Sequence, residues 1–155
     1  MGYHTVVVGY DGSTDADRAV EAAADQVGPE GTVHVVTAIH PESTRRLVQQ
    51  LPVEFRSTYD QDAAEKAQQQ VALLHLQGRG VDCSGHVVSD DPATAIIDVA
   101  EREGADLVVV GSRGLGEVRR FIRGSVSARV AVHAPMSVLI VHGSGGTSPT
   151  HDHAR

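Results

Sequence analysis

The chain has little of what several function classes require. It has one cysteine, Cys83, so no internal disulfide can form, and the lone thiol points to a reducing compartment, where a small core residue is the ordinary role for it. There is no tryptophan and aromatics are 3% of residues, too few for the stacking platforms on which single-stranded nucleic acids are held. Lys66 is the single lysine, and 13 basic residues face 20 acidic ones for a net charge of −7. That balance argues against a nucleic-acid or anionic-membrane binder, which needs a basic face. No apolar run approaches the roughly 18 residues of a membrane span, and the first residues lack a basic stretch followed by a long apolar one. A cytoplasmic protein without nucleic-acid or membrane partners is the expectation.

Within 155 residues, enough for one domain, short β-branched runs alternate with helical patterns. Val6, Val7 and Val8 open the first strand, which stops at Gly9-Tyr10-Asp11-Gly12-Ser13. Ser13 and Thr14 can cap a helix with Asp17 completing a capping box, and alanines at helical spacing carry it to Gly28-Pro29. A second strand over 32–39 ends at His40-Pro41. Residues 42–57 are hard to read, with at most a helical turn around Arg45 to Val48. A helix over 58–77 follows, its apolar face set by Ala63, Ala64, Ala67, Val71 and Leu74. A weaker, polar strand over 81–89 belongs at a sheet edge. Asp91-Pro92 is a helix start, with Ala93, Ile96, Ile97 and Ala100 on the buried side. The fourth strand is 105–110 and the fifth Ser137–Val141. Residues 143–155, polar and rich in Gly, Ser and Thr, read as a disordered tail beyond a domain of 1–142. His151 and His153 in that tail could share a metal, but a pair without further ligands is a weak site, and incidental tail composition is the better reading.

Strands that are apolar throughout form a parallel sheet covered on both faces. The predicted fold is therefore α/β, a single doubly wound domain with five strands in the order 3-2-1-4-5. In such folds ligands sit beyond the carboxyl ends of the strands, where the winding reverses. Here that point lies between strands one and four, so Asp11 and Gly111 fall on one crevice.

The stretch 111–127, GSRGLGEVRRFIRGSVS, follows the most apolar strand and leads into a helix. Its glycines and serines, spaced G-x2-G-x9-G-S, can turn backbone N–H groups and hydroxyls toward phosphate oxygens. The competing reading is a plain strand-to-helix turn. Arg113 and Arg123, beside the glycines, could meet phosphates, whereas Arg119 and Arg120 fit a solvated face equally well. Asp11 has two readings of equal standing: a cap for the turn before the first helix, or an acceptor for a ribose hydroxyl or a Mg²⁺ ligand. A Walker-type loop is absent, no G-x-G-x-x-G follows strand one, and no serine or cysteine arrangement makes a triad.

Val6 to Ser13, the Asp91-Pro92-Ala93-Thr94-Ala95-Ile96 helix start, Ala105 to Gly114, and Gly124-Ser125-Val126-Ser127 with His133-Ala134-Pro135 together resemble the universal stress protein family, over nearly the whole chain to His142. The resemblance implies a single-domain α/β fold that dimerises through the last strand, Ser137–Val141, and binds ATP, with Mg²⁺, in the motif-bearing branch. Carried over by position, Asp11 lies near ribose or magnesium, Ala38 offers backbone to adenine, and Gly111, Arg113, Gly114, Gly124, Ser125, Val126 and Ser127 surround the phosphates. Asp90-Asp91-Pro92 departs from the family's usual Gly-x-Pro and makes that loop more acidic. The reading is a stress-response regulator that holds ATP, with slow hydrolysis at most because neither a general base nor a lysine electrophile is in place, and that is read by a further protein. The alternative is a dimeric interaction module of the same fold that needs no nucleotide. An adenylate-forming enzyme lacks its histidine or serine signatures here.

Overall fold

The computed structural model describes residues 2–112 and 125–143. Five parallel strands form one sheet in the order β3-β2-β1-β4-β5, the predicted order: β1 Tyr3–Gly9, β2 Val27–Ala38, β3 Asp82–Val88, β4 Leu107–Gly111 and β5 Ser137–Val141. On one face lie α1 (Thr14–Gln26) and α4 (Gln61–Gly78), packed on Val6, Val8, Val33, Val35 and Val109. On the other lie α5 (Pro92–Arg102) and α6 (Ser125–His133), packed on Val7, Val36, Val108 and Val110. The strict alternation of faces along Val6, Val7 and Val8, all wholly buried, explains why the central strand carries no polar residue. Each such valine contributes about 1.5–3 kcal/mol by leaving water.

Local chemistry sets the element ends, in places differently from expectation. The cap of α1 is Ser13, whose Oγ accepts the Ala16 N–H at 3.1 Å. Asp17 does not complete a capping box; its carboxylate accepts the Tyr10 hydroxyl at 3.1 Å instead. Gly12, at φ +79°, makes the preceding turn that a side chain would strain. α1 passes into β2 at Val27 rather than stopping at a loop, because Val27 pairs with Tyr3; the register then shifts between Tyr3 and Thr5, and Pro29, which has no N–H to give a ladder, sits exposed in that irregularity. Residues 41–50 form a full helix, α2 (Pro41–Gln50), with Pro41 in its first turn, followed by the short α3 (Val53–Arg56). Neither buries a residue, so no apolar stripe announces them.

The predicted face of α4 is wrong. Ala63, Ala64, Ala67, Val71 and Leu74 are all exposed, and the helix instead buries Gln69, Ala72 and Leu76. The Gln69 amide is the reason: its Nε2 donates to Val35 O at 3.1 Å, Thr37 Oγ1 at 3.0 Å and His86 O at 2.9 Å. A polar residue that satisfies sheet groups therefore sits where an apolar one was expected. α5 matches its prediction closely. Asp91 is the cap, accepting the Thr94 N–H at 3.2 Å, Pro92 opens the helix, and Ala93, Ile96 and Ala100 are buried, with Ala95 and Val99 added and Ile97 only half-buried. β4 begins at Leu107, since the Ala105 N–H closes the end of α5 on Ala100 O at 2.8 Å.

Asp106 fastens β1 to the start of β4. Its carboxylate accepts the backbone N–H groups of His4 at 3.0 Å and Thr5 at 2.9 Å. Burial alone would raise its pKa, but these bonds outweigh it and hold the carboxyl below its ordinary value. Asp106→Asn is expected to cost about 1 kcal/mol at pH 7, the low end for a charge-assisted bond because the site is partly exposed. The folded pKa is the lower one, so this stabilisation is complete above the ordinary 3.8 and is lost as the pH falls through the folded value. Urea unfolding of both chains across pH 2–7 reads the difference; a gap that persists unchanged at the acid end would exclude the mechanism.

Candidate functional site

Beyond the carboxyl ends of β1 and β4 lies a cavity of about 660 Å³, within the range of sites that enclose a small ligand. Its floor is apolar, made by Ala16, Val36, Ile96 and Val110. Part of that space exists because Gly9 has no side chain: a Cβ there would come 2.7 Å from Ile96 Cδ1. Strand ends hold the walls in place, with Tyr10 N–H on Val36 O at 2.8 Å, Ile39 N–H on Val88 O at 2.8 Å and Ser112 N–H on Val141 O at 2.9 Å.

Of the residues singled out from sequence, Asp11, Ala38, Gly111, Ser125, Val126 and Ser127 all line this one cavity. Asp11 serves the turn, its Oδ1 accepting the Ser13 N–H at 3.0 Å; this is the local role, and it leaves the second role to be tested. Gly111 lies against α1, where a Cβ would stand 2.9 Å from Asp15 O. Next to it Ser112 Oγ donates to Asp15 Oδ2 at 3.2 Å, which fixes the end of β4 to the first turn of that helix. The first described residues of α6, Ser125, Val126 and Ser127, line the same space, so the positive end of that helix's dipole lies at the cavity. Arg113, Gly114, Arg119, Arg120, Arg123 and Gly124 lie outside the described residues, as do residues 144–155 of the tail.

Arg129, Asp91 and Tyr10 are among the lining residues that the sequence reading did not assign to the site. Arg129 donates from Nη1 to Asp91 Oδ2 at 2.7 Å, across from α6 to the start of α5. It stands one helical turn after Ser125, and that i, i+4 spacing is the signal by which it could have been found. Asp91 was read only as a cap. Burial pushes its pKa up, but the Thr94 N–H, the Arg129 guanidinium and the Thr94 hydroxyl together pull it below the ordinary value, so it is a carboxylate at neutral pH. Tyr10 lies with its phenol against Asp17, and burial, then that carboxylate, push its pKa up to about 12. The hydroxyl stays protonated and acts as a donor, not as a base.

Chemically, the cavity offers backbone and hydroxyl donors at one wall, a cation balanced by a carboxylate at the rim, and an apolar floor: the makings of a site for a flat apolar group joined to an anion. Comparison with known proteins agrees in fold. The family model described as the universal stress protein family matches residues 2–142. The universal stress protein Rv1636 of Mycobacterium tuberculosis is 33% identical over 142 residues, covering 90% of this chain and 97% of that one. A universal stress protein solved in complex with cAMP superposes with a TM-score of 0.66 at 30% identity, over 93% of this chain and 100% of its own. One from Archaeoglobus fulgidus in complex with dAMP gives 0.62 at 26% identity, over 91% and 99%.

Proposed function

The chain belongs to the universal stress protein family, and we propose that it is a regulatory protein that holds ATP in the cavity between β1 and β4. The observation that carries this reading is the convergence of Asp11, Ala38, Gly111, Ser125, Val126 and Ser127 on one cavity at the switch point of the sheet. Relatives solved with cAMP and dAMP support an adenine nucleotide as the class of ligand.

The residues present fit such a ligand. The gap kept open by Gly9 over Val36, Val110 and Ile96 suits an adenine ring, with the Ala38 backbone beside it. The start of α6, with Ser125, Val126 and Ser127, suits phosphates, and Gly111 allows the chain to pass close to α1 at that wall. Arg113, Gly114 and Gly124 extend the phosphate site by sequence. Arg129 adds a cation that offsets Asp91 as the nucleotide's charge enters. Asp11 is the candidate for the ribose hydroxyl or for Mg²⁺, an ion that would neutralise phosphate charge when bound. The cation set neutralises charge without a lysine electrophile, and Tyr10 is held protonated, so the site favours keeping the nucleotide over cleaving it.

Mass spectrometry of gently denatured, freshly purified protein should find bound ATP or its hydrolysis products, and calorimetry should show one ATP per chain. Arg129→Ala is expected to weaken ATP about tenfold, or about 1.4 kcal/mol, because it removes a cation and leaves Asp91 to repel the phosphates. An empty protein that also fails to take up ATP would sink this reading and favour the nucleotide-free interaction module. Dimerisation through β5 belongs to the same proposal. β5 is an edge strand whose Val138, Leu139, Ile140 and Val141 are only half-buried, a row that a two-fold partner would cover. Light scattering at twice the 16.3 kDa chain mass reads it. A downstream protein that senses the loaded dimer completes the regulatory role.

A further inference from the structure

We propose that His34, His86 and Glu103 form a Zn²⁺ site, on the α5 face of the sheet at the far end of that helix from the nucleotide cavity. His34 lies on β2 between Val33 and Val35, both buried toward α1 and α4, so strand alternation turns it to the opposite face. His86 lies on neighbouring β3, in register with Val36 of that same face. Glu103 caps the end of α5.

The ring nitrogens His34 Nδ1 and His86 Nε2 are 3.0 Å apart, and Glu103 Oε2 is 4.0 Å from His34 Nε2. One ligand atom from each residue falls within 4.8 Å of the others, and this is the one such group of three among the described residues. Tetrahedral Zn²⁺, with bonds of about 2.0–2.2 Å to N and O, needs ligand atoms a little over 3 Å apart. The histidine pair is already near that spacing. The Glu103 side chain, 31% exposed, closes the remaining gap by a change of rotamer, and water takes the fourth position. His34 is 12% exposed, so the pair is held by the sheet rather than assembled on the surface.

Without metal, the group is a proton-linked pair. The Arg102 guanidinium approaches His86 Nδ1 at 3.4 Å, which makes that nitrogen the acceptor and leaves Nε2–H to donate to His34 Nδ1, where the Ser84 hydroxyl also lies at 2.9 Å. Zn²⁺ would replace this shared proton, with Arg102, 60% exposed, turning outward as the ion enters. Two imidazoles and a carboxylate suit zinc over the hard ions magnesium and calcium.

The test is calorimetric titration of the chelator-stripped full chain with ZnCl₂. All chains carry His151→Ala and His153→Ala, to remove the tail histidines as competitors. One Zn²⁺ per chain, with a dissociation constant on the order of 1 μM, is expected. His34→Ala and His86→Ala should each weaken it by about 100-fold or more, exceeding the effect of an outer-shell partner, and Glu103→Gln by about tenfold. Co²⁺ in place of Zn²⁺ should give the visible absorption of a four-coordinate ion, lost in His86→Ala. No binding at 100 μM Zn²⁺, or equal binding by the parent and the histidine variants, overturns the site. Should far-UV dichroism show that His34→Ala fails to fold, Glu103→Gln, on an exposed helix end, decides: unchanged affinity there overturns the three-ligand site.

Discussion

Gln69→Ala is expected to lower the unfolding free energy by about 3 kcal/mol, the largest single loss of stability among the substitutions considered. The wild-type amide spreads two N–H donors over Val35 O, Thr37 Oγ1 and His86 O, and so ties α4 to both β2 and β3. Truncation leaves these acceptors with fewer donors in a buried place, at about 1–3 kcal/mol, and opens a cavity under the helix that adds to the loss. Gly85 explains how the amide fits. A Cβ at that position would stand 3.0 Å from Gln69 Cδ and 3.0 Å from Leu73 Cδ1, so the glycine that interrupts β3 in sequence is the space the glutamine fills. Gly85→Ala should therefore destabilise the wild type but cost much less in a Gln69→Ala background. Urea unfolding of the four chains reads this cycle. Additive losses would show that the two positions do not share a space, and a Gln69→Ala loss under 1 kcal/mol would show that the bonds matter little.

Gly111→Val should have the largest effect on nucleotide binding, with ATP affinity falling by well over tenfold and stability by about 1–3 kcal/mol from overpacking. Even a Cβ would lie 2.9 Å from Asp15 O and 3.0 Å from Asp15 C, atoms of the first turn of α1 that cannot swing aside as a side-chain end can. The end of β4 must therefore shift, carrying Ser112 off Asp15 and off Val141 O and moving that wall of the cavity. Calorimetry with ATP, run where dichroism shows the variant folded, separates the two losses. A destabilised but folded variant that binds ATP as tightly as wild type would remove the end of β4 from the site while leaving the packing argument intact.

What could be read from sequence followed from how strongly each segment is constrained. The central strands are buried on both faces, so Val6 to Val8 and Leu107 to Val110 can carry nothing but apolar residues, and their order follows from the winding rules. Asp11 and Gly111 were placed on a common crevice by that order alone, and they line one cavity. α4 misled because apolar spacing was counted without asking which polar residue could be satisfied by the sheet; Gln69 is buried and Val71 is 63% exposed. α2 escaped because a helix that touches no core has no stripe to show. Arg129 and Asp91 escaped for another reason: the two residues are 38 positions apart, and the spacing of Arg129 from Ser125 marks a shared helix face without showing the partner across from it.

Since all five strands run the same way, the cavity belongs to one end of the sheet alone. The segments leaving the strands give Tyr10, Asp11, His40, Asp91 and Ser112 to the cavity lining, while those entering them, around Gly80, Gly104 and Pro135, give none. Change is therefore partitioned by geography: insertions at the entering turns should be silent for what the cavity binds, and those at the leaving turns should alter it. The same polarity governs handling of the protein. A label ahead of β1 lies at the opposite end of the sheet from the cavity, whereas Gly143, just past β5, lies at the cavity's end beside Asp15 and Arg18, so immobilising the protein by its amino end leaves the cavity facing the solution.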